Sequence, residues 1–245
     1  MGVSYVSKTD VFDTYMEKLP ATIKLSFASI LVSILLSVPL GIYSATRQGT
    51  VQDNISMIVA MIGLSMPNFW LGLLLIIVFS LNLGWFPSGG DQTLSSIVLP
   101  AITIGTGLMA TLTRTTRSSM LDVIRSDYII TARAKGVLEG QVIIKHALKN
   151  GLIPIITVLG TQFGRLLGGT MILETIFVIP GMGQYIITAV NSRDYPVVQI
   201  GSIFLAISFS FCMLAVDLLY AMVDPRIKAK YSGKSTRRKK VQANG

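Results

Sequence analysis

The chain has 245 residues, of which 51% are hydrophobic and only 13% are charged, and its mean hydropathy is +0.63. A water-soluble domain carries about twice that charged fraction, and it could not bury so much apolar sequence in one core. The net charge of +9 could suit a nucleic-acid binder, but the basic residues are confined to a few segments between apolar runs. These features exclude an ordinary soluble domain and favour a membrane protein.

Five apolar stretches are long enough to cross a bilayer as helices, which takes roughly 20 residues each. They lie at residues 21–44, 55–83, 98–114, 151–173 and 197–221. Pro67 stands in the middle of the second stretch and predicts a bend there. Gly105 and Gly107 lower the helix preference of the third stretch. The sequence therefore predicts an all-α, polytopic membrane bundle with about five spans.

The basic residues in the connections predict the orientation of the bundle. One set of connections contains 16 Lys and Arg: 45–54, 115–150 with Arg114 at its edge, and 222–245. The opposite set contains three: residues 1–20, 84–97 and 174–196. The positive-inside rule then places the first set, including the C-terminus, in the cytoplasm.

This orientation divides the chain into three parts. Residues 1–19 form an external segment, residues 20–221 form the membrane domain, and residues 222–245 form a basic cytoplasmic tail. The tail is either a solvated topology anchor or a contact for anionic headgroups. An external start before an odd number of spans also predicts that a further membrane helix precedes this sequence.

Several familiar patterns carry no function here. GTGLMA at 105–110 has the spelling of a dinucleotide loop but lies inside a span, and SGKST at 232–236 lacks the first glycine of a phosphate loop. His146 and Cys212 are the only residues of their types, so we expect no metal site and no internal disulfide. No nucleophile–base set is present. We therefore expect no cofactor, no nucleic-acid partner and no enzymatic activity in this chain.

The segment from Ser118 to Asn150 is the informative one. It is long for a membrane connection and helical in pattern, and Gly136 divides it into two short helices, the second starting near Glu139. Small residues before Gly136 and the glycine itself would let another backbone approach closely. Two short helices at the base of a membrane bundle suit docking into a groove on a soluble partner.

The stretch SDYIITARAKGVLEGQVIIKHALKNGLIPIITVLG, residues 126–160, resembles the coupling loop of ABC importer permeases of the dipeptide, oligopeptide and nickel branch. The general Glu-Ala-Ala motif is replaced by Ile130, Thr131 and Ala132, whereas TARAKG and HALKN follow the pattern of the peptide branch. Further similar segments follow the family's order: LPATIKLS at 19–26, GLSMPNFWLG at 63–72, ETIFVIPGMGQ at 174–184, RDYPVVQ at 193–199 and DLLYAMVDPRIK at 217–228.

The resemblance implies a type I ABC importer transmembrane domain in the bacterial or archaeal cytoplasmic (inner) membrane. Its expected partners are a second homologous permease subunit, two cytoplasmic ABC ATPase subunits that hydrolyse ATP, and an extracellular or periplasmic substrate-binding protein. Peptides are the expected cargo, and nickel, a metal chelate or glutathione belong to the same branch. A self-contained secondary transporter is the alternative, but the sequence shows neither internal repeats nor several ionisable residues within the spans.

The resemblance also assigns candidate site residues. The ATPase-coupling loop comprises Thr131, Ala132, Arg133, Ala134, Lys135, Gly136 and Glu139. Its small residues would serve close packing, and its charged residues would make polar contacts or form a solvated face.

Two further candidate sites lie elsewhere. Arg165 interrupts the fourth span, where it lines the pathway, pairs with the second permease or braces helix packing. Pro180, Gly181 and Gly183 form a bend followed by a short amphipathic segment. That segment acts as an outer gate, contacts the delivery protein or lies on the membrane surface.

Overall fold

The computed structural model describes residues 2–223, and the fold of this part is helical. The helices are α1 (Val11–Thr46), α2 (Val51–Ser65), α3 (Asn68–Asn82), α4 (Leu94–Ile124), α5 (Asp127–Ala134), α6 (Glu139–Gln141, Val142–Leu148 and Lys149–Gly169 in one continuous run), α7 (Met171–Ile176), α8 (Met182–Asn191) and α9 (Tyr195–Val223). The stretches Ile76–Asn82 and Val142–Leu148 are π-helical. Within the described residues, α1, α4, α6 and α9 can each cross a membrane, and the bent pair α2–α3 adds a fifth span if it crosses as one unit. The predicted all-α bundle with about five spans is confirmed.

Helix α1 begins ten residues before the first predicted span, because Asp10 caps it. The Asp10 carboxylate accepts hydrogen bonds from the backbone N–H groups of Phe12 and Asp13, at 2.8 and 3.2 Å. Such a cap satisfies donors that a helix start would otherwise leave unpaired. Residues 11–19, predicted as part of an external segment, are therefore the first turns of a long helix.

The contact between α1 and α4 is the most extensive in the bundle. Ser26, Ser29, Ser33 and Ser37 lie fully buried along one side of α1. Across the contact, a side-chain carbon on Gly105 would lie 2.9 Å from the Ser29 carbonyl oxygen. Small residues thus let the two backbones approach closely, as is typical where helices associate in lipid. The same contact explains why Gly105 does not break α4: packing outweighs its low helix propensity.

The second predicted span is broken rather than gently bent. Helices α2 and α3 meet at 92°. Pro67 has no N–H to donate to the preceding turn and holds Met66 in an extended conformation. The predicted bend at Pro67 is confirmed, and the break leaves Ser65 and Asn68 exposed in this chain.

Two helices are longer than predicted. Helix α4 continues ten residues past the predicted end of the third span, and α6 joins the short helix expected near Glu139 to the fourth span without interruption.

Helix α6 packs on α9 through two glycines: Gly160 faces Val216, and Gly164 faces Phe209. Residues 224–245, most of the predicted basic tail, lie outside the described residues.

Candidate functional site

The 115–150 segment folds as the end of α4, the short helix α5 and the start of α6. Helix α5 ends at Ala134 in a turn that needs a left-handed residue, and Gly136 takes that position with φ +77°. The Gly136 N–H donates to the Arg133 carbonyl at 2.9 Å, and the Val137 N–H donates to the Ala132 carbonyl at 3.3 Å. This pair of hydrogen bonds is the Schellman ending of a helix. The predicted break at Gly136 is confirmed.

An ion pair closes the turn around Gly136. The Arg133 guanidinium donates to the Glu139 carboxylate, at 3.0 Å from Nε and 2.6 Å from Nη2. The hydrogen bonds to Glu139 raise the pKa of Arg133 above its usual value. Both side chains are substantially exposed, so the pair contributes at most roughly 1 kcal/mol to stability. It links the end of α5 to the start of α6 across the turn.

One side of the 115–150 segment is buried under the bundle and the other is open. Ile129, Val142 and Ala147 lie fully buried against Met120 and Ala45, and Asn150 donates to the Tyr128 hydroxyl at 2.8 Å. The open side carries exposed apolar side chains: Tyr128, Ile130, Leu138 and Ile144.

The candidate coupling residues lie on both sides of this segment. Ala132 is half-buried against the core, whereas the others are exposed: Thr131, Arg133, Ala134, Lys135, Gly136 and Glu139. A side-chain carbon on Gly136 would have no described atom within 4 Å. The space above the turn is therefore open to an incoming surface. A contact with an ATPase at these residues stays a prediction.

A buried ion pair above this segment was not anticipated from the sequence. Asp53, at the start of α2, is only 3% exposed and pairs with Arg117 on α4. It also accepts from the Ser44 hydroxyl and from the Gly49 N–H. The pair ties the α1–α2 turn to the part of α4 that leads into α5. The available signal was an acidic residue three positions after Thr50, a helix-start pattern in a chain with few charges.

Arg165 is exposed on α6. It lies about 7 Å along the helix axis from Thr170, which caps the C-terminal end of α6, at 1.5 Å per residue. Asn150, Thr157, Thr161 and Arg165 recur at intervals of seven, four and four residues, so they share one side of the helix. We call these four residues the α6 polar face. Asn150, Thr157 and Arg165 are exposed and Thr161 is half-buried. Among the described residues, Arg165 has no ion-pair partner.

The exposed sides of the other spans are mostly apolar. Helix α1 exposes Phe27 and Leu35, and α9 exposes Ile203 and Phe211, each by at least 60%. Such faces suit contact with lipid tails. Helix α6 shows the opposite pattern: the residues of its polar face are exposed or half-buried, and Leu166 and Leu167 are buried. A polar, charged face in contact with lipid is costly, so the α6 polar face requires a partner or water.

Helix α4, which touches α6 where Ser119 donates to the Gly151 carbonyl at 2.8 Å, has a polar side of its own. Thr111, Arg114 and Ser118 are exposed on the side of α4 that faces away from α1, and we call them the α4 polar face. Above it lies the α2–α3 break, where the Asn68 side chain packs against Gly107. Irregular backbone at membrane depth is tolerated where protein covers it or where it lines an aqueous cavity.

The bend at Pro180 is built around a buried carboxylate. Glu174 is fully buried and accepts hydrogen bonds from the hydroxyls of Thr170 and Thr22 and from the Gln184 N–H, at 2.8, 2.9 and 3.0 Å. The last of these places the carboxylate at the N-terminus of α8, where negative charge is favourable. Sequence reasoning missed Glu174, although an acidic residue inside an apolar motif was a signal.

The three candidate gate residues are divided by this arrangement. Pro180 is exposed, whereas Gly181 and Gly183 are buried beside Glu174. A side-chain carbon on Gly183 would lie 2.7 Å from the Met171 Cα, so only glycine fits there. Val178, three residues after Thr175, is exposed with φ +51°, a strained conformation for a β-branched residue. The predicted amphipathic segment after the bend is α8, whose Met182 and Ile186 are buried.

A second carboxylate holds the start of the chain. Asp194, between α8 and α9, is 3% exposed. It accepts from the Ser4 hydroxyl and from the N–H groups of Tyr5 and Val6, at 3.1 and 3.3 Å for the two backbone donors. Burial alone would raise its pKa, but these hydrogen bonds outweigh burial and hold the pKa of Asp194 below its usual value.

No group of three or more His, Cys, Asp or Glu side chains within residues 2–223 is arranged to hold a metal ion. An apolar cavity of about 640 Å³ lies between α1, α6 and α9, lined mainly by side chains such as Phe12, Phe163 and Phe204. It presents almost no polar group. The polar faces of α4 and α6 are therefore better suited than this cavity to contact a hydrophilic solute.

Residues 37–229 match the family described as binding-protein-dependent transport system inner membrane component. This match covers well over half of the chain. The chain belongs to this family.

Curated relatives agree with this assignment. The oligopeptide transport system permease protein AppB of Bacillus subtilis is 43% identical over 93% of the chain and 75% of the relative. The dipeptide transport system permease protein DppB of Alkalihalophilus pseudofirmus is 44% identical over 93% of the chain and 77% of the relative. The glutathione transport system permease protein GsiC of Escherichia coli K12 is 40% identical over 94% and 75%.

Solved structures show the same fold. The MetNI methionine ABC transporter in an inward-facing conformation matches with a TM-score of 0.69 at 21% identity, over 87% of this chain and 97% of the other. An amino acid ABC transporter matches with a TM-score of 0.62 at 15% identity, over 92% and 100%. The chain is thus an ABC importer permease with a type I transmembrane domain, an inner membrane component that works with other subunits. None of these comparisons supports the self-contained secondary transporter.

Proposed function

We propose that this permease imports short peptides or a related small solute such as glutathione or nickel. Three relatives at 40% identity or more are named for oligopeptide, dipeptide and glutathione transport, which supports the peptide class. The permease forms the translocation path with a second homologous permease. An extracellular or periplasmic substrate-binding protein delivers the cargo, and two cytoplasmic ATPase subunits hydrolyse the ATP.

The distribution of basic residues supports the proposed orientation. The 115–150 segment and the C-terminal tail face the cytoplasm, since they contain most of the Lys and Arg outside the spans. The Pro180 bend, α8 and residues 2–10 then lie on the outer side. In this proposal, the external segment is residues 1–19, which include the first turns of α1. The membrane domain is residues 20–221, and the cytoplasmic tail is residues 222–245.

The exposed apolar side of the 115–150 segment carries the coupling proposal. Ile130 is 56% exposed and Leu138 is 72% exposed, on either side of the open Gly136 turn. Apolar side chains at a cytoplasmic bundle end are unfavourable in water, and they suit the groove of a soluble partner. The Arg133–Glu139 pair joins the two sides of the turn on this surface. Closure of the ATPases would move it as a unit, and the motion would pass to α4 and α6, which are continuous with it.

The polar faces of α4 and α6 form the proposed path. Both are exposed in a single chain, and neither suits lipid. The α2–α3 break brings irregular backbone beside the α4 polar face, where Asn68 lies against Gly107, and a broken helix is a usual setting of a membrane binding site. Arg165 belongs to this path. On the outer side, the Glu174 cluster fixes the bend at Pro180, so Pro180, Gly181 and Gly183 act together as one wall of the outer gate.

Comparison of one substitution at two ends of the bundle tests the coupling proposal. Leu138→Glu places a charge on the proposed ATPase surface. Leu94→Glu places the same charge on a similarly exposed residue at the opposite end of the bundle, 81% exposed against 72% for Leu138. We expect Leu138→Glu to abolish co-purification of the ATPases and ATP-dependent uptake, whereas Leu94→Glu retains ATPase recovery. Normal ATPase recovery with Leu138→Glu would refute the docking surface.

A further inference from the structure

We propose that Arg165 binds the carboxylate of the cargo as the cargo crosses the membrane, so that the path selects solutes with a free carboxylate. The inference rests on the proposed function and deepens it, since it assigns a cargo group to one side chain. Three observations support it: the depth of Arg165, its lack of a partner among the described residues of this chain, and the character of the residues beneath it.

The depth of Arg165 makes an unpartnered guanidinium costly. It lies 15 residues beyond Asn150, or about 22 Å along α6 at 1.5 Å per residue. In the proposed orientation, this is the outer half of the membrane. Helical side chains tilt toward the helix N-terminus, so Arg165 inclines toward the membrane interior rather than toward the outer surface. A planar fork of donors at this position requires an anionic acceptor or water for most of the transport cycle.

The described chain offers no such acceptor. Its ion pairs are Arg117–Asp53 and Arg133–Glu139. The buried carboxylate of Glu174 is already occupied by two threonine hydroxyls and a backbone N–H. The acceptor for Arg165 must therefore come from outside residues 2–223 of this chain.

The rest of the α6 polar face favours the cargo, rather than a fixed carboxylate of the partner permease, as the acceptor for Arg165. The hydroxyls of Thr157 and Thr161 donate to the carbonyls of Ile153 and Thr157, at 3.2 and 2.6 Å. Because each hydroxyl proton is already donated to a backbone carbonyl, each hydroxyl oxygen is left as an outward-facing acceptor. A peptide brings backbone N–H groups for such acceptors and a carboxylate for Arg165. A permanent ion pair between subunits would need only the one position, whereas a moving solute needs a series of weak contacts.

The chemistry of the proposed cargo agrees with this arrangement. A short peptide and glutathione each end in a carboxylate, whereas a free metal cation would be repelled by Arg165. Because Arg165 is placed toward the outer side, it would meet the cargo soon after release from the delivery protein. The threonine oxygens would then take the cargo along α6 toward Asn150.

A two-by-two comparison tests the inference in the complete transporter reconstituted in proteoliposomes. ATP-dependent uptake is measured for a short peptide and its C-terminal amide, at concentrations that saturate the delivery protein, with wild type and Arg165→Gln. Any preference of the delivery protein cancels, because the ratio of acid to amide uptake is compared between the two permeases. We expect that ratio to fall by about tenfold to a hundredfold in Arg165→Gln, and Arg165→Lys to lose less because it keeps the charge.

Thr157→Val is the matched control on the same face. It removes an acceptor but keeps the cation, so it should slow acid and amide alike and leave their ratio unchanged. Two results would overturn the inference. An unchanged acid-to-amide ratio in Arg165→Gln shows that the carboxylate is not read there, and if both cargoes are then lost equally, Arg165 belongs to the gate or to packing. Loss of the partner permease on purification assigns it to an ion pair between subunits.

Failure of the proposed function gives a separate result. If the wild-type complex assembles with its ATPases but moves neither peptide, the peptide cargo is wrong and the carboxylate inference falls with it. If wild type transports the peptide and only the ratio in Arg165→Gln is unchanged, the importer function stands and the role of Arg165 alone is refuted.

Discussion

The Asp53 carboxylate accepts two hydrogen bonds from the Arg117 guanidinium, at 2.8 Å from Nε and 2.6 Å from Nη2. This fork-to-fork pair joins the start of α2 to α4 across 64 residues of sequence. Asp53 is almost completely buried, and Arg117 keeps 27% of its side-chain surface. The pair connects the α1–α2 turn to the helix that continues toward the 115–150 segment. Movement of that segment would therefore also carry the turn.

Loss of one partner of this pair should destabilise the permease. Arg117→Met leaves a buried carboxylate without its main partner, which costs about 3 kcal/mol. We expect a clear fall in the apparent Tm in detergent and reduced coupling of ATP hydrolysis to uptake. Asp122→Asn, an exposed carboxylate on the same helix, is the control and should leave both unchanged. An unaltered Tm for Arg117→Met would show that the pair is dispensable.

Two glycines in the same region should respond in opposite ways to alanine. Gly136→Ala forces a side chain into φ +77°, which costs about 1–2 kcal/mol. Gly140→Ala lies in the helical start of α6 with open space around it, so it should stabilise by about 0.5–1 kcal/mol. Hydrogen exchange of the amides in α5 and α6 would measure both effects. Equal protection in the two variants would contradict the assigned turn.

The Glu174 cluster predicts a strong effect of a small change. Glu174→Gln keeps the size of the side chain but replaces one acceptor oxygen with an NH2 group. That group faces either the threonine hydroxyls or the Gln184 N–H, so one buried donor loses its acceptor at a cost of about 1–3 kcal/mol. We expect the segment from α7 to α8 to become sensitive to limited proteolysis. The exposed Glu17→Gln on α1 serves as the control, and equal protease resistance in both variants would argue against the cluster.

Asp194 should make the anchoring of residues 2–10 dependent on pH. Because its pKa in the folded chain is lowered, its hydrogen bonds contribute stability above the pKa of a free aspartate, about 4. That contribution is lost as the pH falls through the lowered pKa. Relative to the intrinsic exchange rate at each pH, the amides of Tyr5 and Val6 should be strongly protected from hydrogen exchange at neutral pH and weakly protected under acid conditions.

Asp194→Asn provides the test of this pH dependence. At every pH the variant should lose protection of at least one of these two amides, because Tyr5 and Val6 donate to different oxygens of Asp194 and an amide side chain offers a single acceptor oxygen. If the protection of these amides from exchange still depended on pH in Asp194→Asn, the effect would belong to another group.

The number of spans, their approximate positions and the break at Pro67 followed from the sequence, because apolar length and the missing proline N–H are local properties. The helix boundaries did not follow. Helix α1 begins at Val11 because of a local cap that the apolar pattern does not reveal. Helix α4 crosses Gly105 because the packing against α1 outweighs local propensity, and no pattern within the third span could show that contact.

The candidate site shows the same division. Gly136 and the two helices around it were predictable, since a glycine between small residues and a new helix start is a local signal. The mutual pairing of Arg133 and Glu139 was not predicted, although both residues were identified. The sequence also placed Arg165 in a span, but only the contacts of α6 with α4 and α9 showed that Arg165 is on the exposed side.

The sequence by itself determined a polytopic helical permease, its family resemblance and the segment that we propose couples it to other subunits. These depend on composition, short-range spacing and matched motifs. The tertiary structure alone brought Asp53 to Arg117, Ser4 to Asp194 and Thr22 to Glu174, pairs that are 64, 190 and 152 residues apart. In each pair, a carboxylate with little or no solvent exposure must find donors wherever the fold supplies them. The position of those donors is a property of helix packing, and no local pattern in the chain contains it.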